Sequence, residues 1–265
     1  MLQKIWIDTD LALGASRGDV DDGFALAAVA LSAGRFDLLG VSAVTGNTDG
    51  TTALAAIKDL LAALATRVPT VAAARVVAEA DAPAVLAGLP EDTSIVAIGP
   101  PTNLLRAAAL DPKWPGRVEV RVVGRVRWPW RHPLLRLFDL NFRAPAARPF
   151  WLLDFRRRIV FPLDVVRALR FDADDLDRMA RAGPVGSYLA HHSRRWLRRA
   201  PVRYLSRSFP VWDLPAALHA VGRLPSPVVN GEWCHSFDVG GARRAFFALL
   251  EGTESGTEWV SDRAP

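Results

Sequence analysis

Five aspartates lie between positions 8 and 22, close to the start of the chain. They are Asp8, Asp10, Asp19, Asp21 and Asp22. Neighbouring carboxylates repel one another and lose hydration when buried, so such a group is tolerated when a cation lies among them. Ligands that are all oxygen suit a hard ion such as Ca²⁺ or Mg²⁺. The stretch therefore predicts a divalent-metal site, although capping of a helix by Asp19 or Asp21 is a simpler alternative.

The residues around these aspartates predict a strand, a loop and a helix. Residues 5–7 are β-prone, and residues 24–31 are rich in Ala and Leu. Asp8 and Asp10 are two apart on an extended segment and share a face. Open α/β sheets bind ligands beyond the carboxyl ends of their strands, which is where this loop lies.

The same stretch resembles the DTDPGxDDAxAL signature of the nucleoside hydrolases of the inosine-uridine type. Asp8, Thr9 and Asp10 match its first half and residues 21–26 match its second, while Leu11 replaces the proline. The resemblance implies bound Ca²⁺ and a water, held at the metal, that attacks a ribosyl carbon. It assigns Asp10 as general base and as a metal ligand together with Asp22.

The rest of the chain alternates strand-like and helix-like segments, without an internal repeat or a Gly/Ser linker. We predict further strands at 36–44, 68–74, 94–98, 118–123 and 159–165, and a terminal hairpin at 228–239. This alternation favours an α/β fold with a mostly parallel central sheet flanked by helices. We expect one nucleoside-hydrolase-like domain over residues 1–265.

Two predicted strand ends extend the resemblance. Gly46 and Asn47 fall where the family has a Gly-Asn pair near the ribose, and residues 99–104 resemble its GPLTNL segment. The second match implies that the backbone carbonyl of Ile98 binds the metal. Gly-Asn and Gly-Pro are also ordinary turn residues, so each match is weak when taken singly.

Residues 125–140, with two Trp, two Pro and four Arg, predict a loop over the mouth of the sheet. The segment that follows resembles the family's AEFNxxxDPEAA segment, whose Glu and Asn bind ribose hydroxyls. Asn141 matches the Asn, and Asp139 takes the place of the Glu with a side chain one methylene shorter. Capping of a helix before Ala146 is the alternative role for both.

Residues 211–218 resemble the family's HDPLA-like segment. Asp213 matches the Asp that completes the metal shell, and an N-cap role is compatible with this assignment. Trp212 replaces the His that is thought to assist the leaving base; its ring can stack on a base, but its N–H provides no proton near neutral pH. His132 is a candidate acid in the aromatic loop, and we also assign Asp21 to substrate binding.

The basic helix predicted at 187–199 has three open interpretations: a solvated face, a phosphate-binding patch or a partner surface. His191 and His192 lack the spacing of a metal motif. The net charge of +5 keeps a nucleic-acid hypothesis open. It is the least favoured, because no DNA- or RNA-binding motif is present.

Composition sets the remaining expectations. Half of the residues are hydrophobic, enough for a large core, and no apolar run reaches the roughly 18 residues that a membrane span needs. Cys234 is the single cysteine, which excludes an intrachain disulfide and argues against a cysteine-based zinc site. We expect a cytoplasmic homo-oligomer.

The favoured function is Ca²⁺-dependent hydrolysis of the N-ribosidic bond of a nucleoside or related ribosyl compound, in purine or pyrimidine salvage. The alternative is a family member that holds a ribosyl ligand through the metal but has lost turnover. The absence of the leaving-group His motivates this alternative.

Overall fold

The computed structural model describes residues 2–15, 18–199, 201 and 205–253. Strands and helices alternate along the described chain. In order, they are β1 (Gln3–Thr9), α1 (Asp21–Leu31), β2 (Phe36–Ala43), α2 (Gly50–Ala65), β3 (Arg75–Val77), α3 (Ala82–Ala87), β4 (Ser94–Ala97), α4 (Thr102–Leu110), β5 (Glu119–Val123), β6 (Arg157–Phe161), α5 (Leu163–Val166), β7 (Arg170–Phe171), α6 (Ala173–Arg181), α7 (Pro184–Leu197), β8 (Phe209–Pro210), α8 (Leu214–Ala220), β9 (Val228–Asn230), β10 (Trp233–Ser236) and α9 (Val239–Glu251).

The main sheet has the strand order β3-β2-β1-β4-β5-β6-β10-β9. All neighbouring pairs are parallel except β9 and β10. The chain winds outward from β1 through β2 to β3 and then returns to place β4 on the other side of β1. This reversal opens a crevice beyond the carboxyl ends of β1 and β4, where ligands bind in such sheets. The predicted α/β class and the mostly parallel sheet are confirmed.

Apolar side chains bury both faces of the sheet. Ile5 and Ile7 of β1 belong to one cluster, and Trp6, between them, belongs to the other. Alternation of side chains across a strand explains this division. Helix α1 is buried along nearly its whole length, and Phe24 meets the rings of Phe171 and Phe246 edge-on. A fully enclosed α1 holds the aspartates at its start in a fixed place.

Two predicted strands differ from the structure. The expected strand 68–74 is wrong: Pro69–Ala73 forms a 3₁₀ helix, and the strand is Arg75–Val77. Pro69 has no N–H to donate to a neighbouring strand. The strand expected at 159–165 ends at Phe161, because Pro162 precedes the short helix α5.

The terminal hairpin is confirmed, with Gly231 at its turn in a left-handed conformation (φ 58°). Within the described residues, no helix combines the length and the apolar character that crossing a membrane requires.

Candidate active site

Three carboxylates from distant parts of the chain meet where α1 packs against α8. Asp21 and Asp22 open α1, and Asp213 directly precedes α8. One carboxylate oxygen from each lies within 4.8 Å of the others, and all three side chains are buried. The structure therefore brings Asp213 to the predicted acidic group. Asp21, which we had assigned to substrate, lies with Asp22 in this cluster.

Helix capping does not account for these side chains. The N-cap residue of α1 is Val20, and no side chain caps this helix. Asp213 occupies the N-cap position of α8 without making a capping hydrogen bond. Asp19 accepts a hydrogen bond from the Val20 N–H at 2.8 Å. Asp21 and Asp213 are thus turned toward each other rather than toward their helices.

Asp10 is held from the side of β2 and β4. Its Oδ2 accepts a hydrogen bond from the Asn47 N–H at 2.5 Å. A Cβ atom at Gly46 would lie 2.1 Å from this oxygen, and one at Gly99 would lie 2.9 Å from the Asp10 nitrogen. Only glycine allows these two loops to approach Asp10 so closely. The Gly46 and Gly99 turns therefore shape the wall around the proposed base.

Asp8 is held by partners of its own. The Asn103 amide donates a hydrogen bond to it at 2.8 Å, and the Ser42 hydroxyl donates another. Burial raises the Asp8 pKa to about 7, and these two hydrogen bonds oppose the rise. The role of Asn103 was not predicted, since an Asn in the first turn of a helix usually indicates only the helix start.

Burial also raises the pKa of the other carboxyl groups. It raises the pKa of Asp10 to about 7. The pKa values of Asp21, Asp22 and Asp213 lie well above the ordinary value, because of burial first and neighbouring carboxylates second. Asp10 and Asp213 lie within electrostatic reach of each other.

The oxygens of this group suit a divalent cation. Within the described residues, Asp10 Oδ1 and Asp22 Oδ2 are buried without a hydrogen-bond partner, while the other Asp22 oxygen accepts from the Thr9 hydroxyl. Buried charged oxygens without partners are costly, and a bound cation removes that cost. A donor set made only of oxygen matches Ca²⁺ or Mg²⁺ better than Zn²⁺.

A cleft opens beside the acidic cluster, and most of the predicted substrate residues line it. Its wall is formed by Asp19, Asp21, Asn47, Ile98, Val123, Gly124, Phe138, Asp139, Leu140, Asn141, Leu163, Trp212 and Asp213. Residues from seven separate segments thus converge at the carboxyl end of the sheet. Within the described part of the chain, this lining contains no His, Lys, Arg or Tyr; His132 does not reach it.

Asn141 has a contact that the sequence did not predict. Its side-chain amide donates hydrogen bonds to the Ile98 carbonyl at 2.8 Å and to the Val123 carbonyl at 3.2 Å. The carbonyl proposed as a metal ligand is therefore held by the residue proposed to bind ribose. A carbonyl oxygen has two lone pairs, so one amide donor leaves the second available.

Asp139 and Trp212 form the outer part of the cleft. Asp139 accepts a hydrogen bond from the Phe142 N–H at 3.3 Å, and burial raises its pKa. The helical segment at 145–152 begins without a side-chain cap, so Asp139 does not have the alternative role of capping it. The Trp212 ring lies 6.3 Å from that of Phe138, centroid to centroid, and is inclined to it by 32°. An aromatic pair thus borders an acidic cleft.

The mostly parallel sheet, with buried carboxylates beyond the carboxyl ends of its strands, places the chain among α/β proteins that bind a ligand at this edge of the sheet. The chain belongs to the inosine-uridine preferring nucleoside hydrolase family, whose model matches residues 5–244. This membership makes it an N-glycosyl hydrolase, and the predicted resemblance is confirmed. Among curated proteins, no sequence matches the chain significantly.

Solved nucleoside hydrolases share this fold. A plant nucleoside hydrolase superposes with a TM-score of 0.73 at 15% identity, over 94% of this chain and 99% of its own. A purine-preferring ribonucleoside hydrolase from Gardnerella vaginalis gives 0.70 at 15%, over 94% and 98%. An inosine-uridine preferring nucleoside hydrolase from Bacillus anthracis gives 0.63 at 14%, over 94% and 99%. At these identities, the comparisons define the fold and leave the substrate open.

Proposed function

We propose that the chain hydrolyses the N-ribosidic bond of a nucleoside with the help of Ca²⁺. The observation that carries the proposal is the meeting of Asp21, Asp22 and Asp213, three buried carboxylates, beside a cleft lined by polar side chains. Asp10, Asp22, Asp213 and the Ile98 carbonyl would hold the ion, with Asp21 next to them. When bound, Ca²⁺ supplies positive charge that orients a water and lowers its pKa.

Asp10 is the proposed general base. Its Oδ2 is occupied by the Asn47 N–H, and its Oδ1 has no hydrogen-bond partner among the described residues. Oδ1 can take a proton from a water that attacks the anomeric carbon of the ribose. The C–N bond breaks as the new C–O bond forms, through a state with oxocarbenium character that the surrounding carboxylates stabilise.

The ribose and the base would bind in separate parts of the cleft. Asn47, Asp139 and Asn141 carry oxygen and amide groups that can bind sugar hydroxyls. Trp212 offers an aromatic face to the departing base, and its Phe138 neighbour supports that orientation. The base leaves with a proton from solvent or from a protonated carboxyl group, since the described cleft lining has no His, Lys or Tyr.

The absence of His, Lys and Tyr from the described cleft lining favours a second candidate function. A cleft without a neutral-pH proton donor fits a protein that binds a ribosyl ligand through Ca²⁺ without turning it over. Two assays on the purified protein distinguish the enzyme from the binding protein. Release of reducing sugar from a panel of nucleosides, including modified bases, supports the enzyme. Calcium-dependent binding of a nucleoside with no sugar release supports the binding protein.

The metal assignment has a matched test. Asp213→Asn removes a charge from the acidic cluster, and Asp81→Asn removes one from an exposed position just before α3. We expect Asp213→Asn to weaken Ca²⁺ binding, measured by calorimetry, by at least about tenfold, because a buried ligand charge is lost. Asp81→Asn should bind as wild type does. Equal Ca²⁺ affinity in all three proteins contradicts the assignment. Salvage, cytoplasmic location and homo-oligomerisation remain expectations.

A further inference from the structure

A second cavity, of about 230 Å³, lies between α7 and the loop that follows β1. The loop contributes Gly14, Ala15, Gly18 and Val20, and the helix side contributes His191, His192, Arg195, Trp196 and Arg199. Its volume far exceeds the ~30 Å³ that one water occupies in the liquid. The cavity is therefore large enough for a small polar ligand.

The described lining of this cavity is basic. It includes two arginines and two histidines and no carboxylate. His191 and Arg195 are four residues apart and so share one side of α7, while Arg199 follows just after the helix ends. Asp59 of α2 acts electrostatically on His192 but does not line the cavity. An anion would therefore meet cationic and hydrogen-bonding groups on the helix side.

Neighbouring arginines of α7 differ in their ion pairs. Arg194, one residue before Arg195, forms an ion pair with Asp177 at 3.1 Å. Arg195 forms none with a described residue, and the His192 ring packs against the rings of Tyr188 and His191. Guanidinium and imidazole N–H groups that converge on a cavity recognise oxyanions, and Arg does so with two parallel hydrogen bonds.

The loop that follows β1 forms the opposite wall of the cavity, and Gly14 allows it to approach His192 closely. A Cβ atom at Gly14 would lie 3.0 Å from Nδ1 of His192, and Gly14 has a φ of +90°, which favours glycine. The loop carries acidic and neutral positions in alternation: Asp19 and Asp21 line the candidate active site, whereas Gly18 and Val20 line this cavity. One loop therefore separates an acidic cleft from a basic one.

We propose that the basic cavity binds a phosphate group. Arg195 and Arg199 supply the charge, and His191 and His192 supply further N–H groups. Burial and the neighbouring His191 lower the pKa of His192, so the permanent charge comes from the arginines. The group recognised is the phosphate oxyanion, whether it is inorganic phosphate or part of a sugar phosphate.

The test uses the whole protein in calcium-free buffer, which avoids precipitation of calcium phosphate. Orthophosphate and ribose 5-phosphate are titrated by calorimetry at constant ionic strength, into wild type, Arg195→Gln and Arg198→Gln. Arg198 carries the same charge at the end of the same helix but does not line the cavity, so it is the matched control. Circular dichroism confirms that each variant is folded.

We expect saturable phosphate binding to wild type, weakened about tenfold or more in Arg195→Gln because a bidentate charged contact is lost, and changed by less than about twofold in Arg198→Gln. Tighter binding of ribose 5-phosphate than of orthophosphate identifies a phosphate monoester as the ligand. Absence of saturable binding at millimolar phosphate overturns the proposal. So does an equal loss in both variants, particularly if a single-stranded oligonucleotide binds more tightly with a steep salt dependence, because a diffuse nucleic-acid surface then explains the charge.

Discussion

The side-chain amide of Asn103 on α4 donates a hydrogen bond to the carboxylate of Asp8 on β1 at 2.8 Å. The same amide donates to the Ala43 carbonyl at 2.9 Å, at the end of β2. One side chain therefore ties together three elements at the carboxyl end of the sheet. Asp8 and Asn103 are both fully buried, so water cannot replace either hydrogen bond.

Replacement of Asn103 tests this connection. Asn103→Leu keeps the approximate size of the side chain but removes the amide donor to Asp8 and to the Ala43 carbonyl, while Asp8 keeps its hydrogen bond from Ser42. We expect the free energy of unfolding to fall by about 1–3 kcal/mol, the cost of leaving a buried polar group unpaired. Urea unfolding at about pH 8, above the Asp8 pKa of about 7, measures it.

The control is Thr102→Ala, one residue earlier on α4 and without a hydrogen bond to Asp8. It should change the free energy of unfolding by less than about 0.5 kcal/mol. Equal effects of the two substitutions would mean that the Asn103 amide contributes nothing specific to the stability of this corner.

Gly46 makes a second prediction, about the position of Asp10. Gly46→Ala places a Cβ atom 2.1 Å from Asp10 Oδ2 and 2.7 Å from Pro100, so the base or the loop must move. Displacements of about 1 Å near the reacting atoms can cost about 100-fold in rate, and we expect a fall of this size in kcat/KM. Gly88→Ala, whose Cβ would meet its nearest neighbour at an ordinary 3.5 Å, is the control. Wild-type kcat/KM in Gly46→Ala would contradict the prediction that Gly46 fixes the position of Asp10.

Local sequence patterns predicted the fold better than the site. Apolar runs such as 94–98 and 118–123 become β4 and β5, because strands covered on both faces must be apolar throughout. The apolar pattern predicted strands that do not form at Pro69 and that end before Pro162. Proline has no N–H to donate to a neighbouring strand, and this loss outweighs the apolar character of the segment. Helix α9 was missed as well.

The motif resemblance placed Asp22 and Asp213 in one site, where the structure has them together with Asp21, but it did not predict how their neighbours hold these side chains. The Asn103 amide on Asp8, the Asn141 amide on the Ile98 carbonyl and the Thr9 hydroxyl on Asp22 are contacts between distant segments. Their partners are set by strand order and crossover, which periodicity does not encode. The basic cavity at α7 was not predicted for the same reason: the sequence shows the charged residues of α7 but not which loop lies opposite them.

Trp212 gives a third prediction, which separates recognition of the base from recognition of the sugar. Stacking of an aromatic ring on a base contributes about 1–3 kcal/mol, so Trp212→Ala should weaken nucleoside binding by about tenfold or more. Ribose binding should be unchanged, and Trp212→Phe should retain most of the affinity. Calorimetry with a nucleoside and with ribose measures both.

Trp130→Ala is the control for Trp212. Trp130 is exposed in the 125–140 loop, where it contacts Trp128 edge-on, and it does not line the cleft. Its loss should leave nucleoside affinity within about twofold of wild type, as expected for a side chain outside the contact. If Trp212→Ala weakens ribose and nucleoside equally, the ring acts on the neighbouring Asp213 and not on the base.

His219 gives the last prediction, on stability against pH. It lies in α8, which begins directly after Asp213, and its Nδ1 accepts a hydrogen bond from Nε of Arg121 on β5 at 3.0 Å. Burial, followed by the charge of Arg121, lowers the pKa of His219 from 6.5 to about 3. Between these values the unfolded chain takes up a proton that the folded chain refuses. Stability from this residue is therefore full above about pH 6.5 and is lost as the pH falls.

His219→Gln keeps a hydrogen-bond acceptor for Arg121 but does not titrate. As the pH falls from 6.5 to 5.0, we expect wild type to lose more stability than the variant, with a slope that approaches about 1.4 kcal/mol per pH unit. The raised pKa values of Asp8 and Asp10 act in the opposite direction, because the folded state then binds protons first. Those contributions are common to both proteins and cancel in the difference. Urea unfolding at several pH values measures the two curves, and parallel curves would show that folding does not lower the pKa of His219.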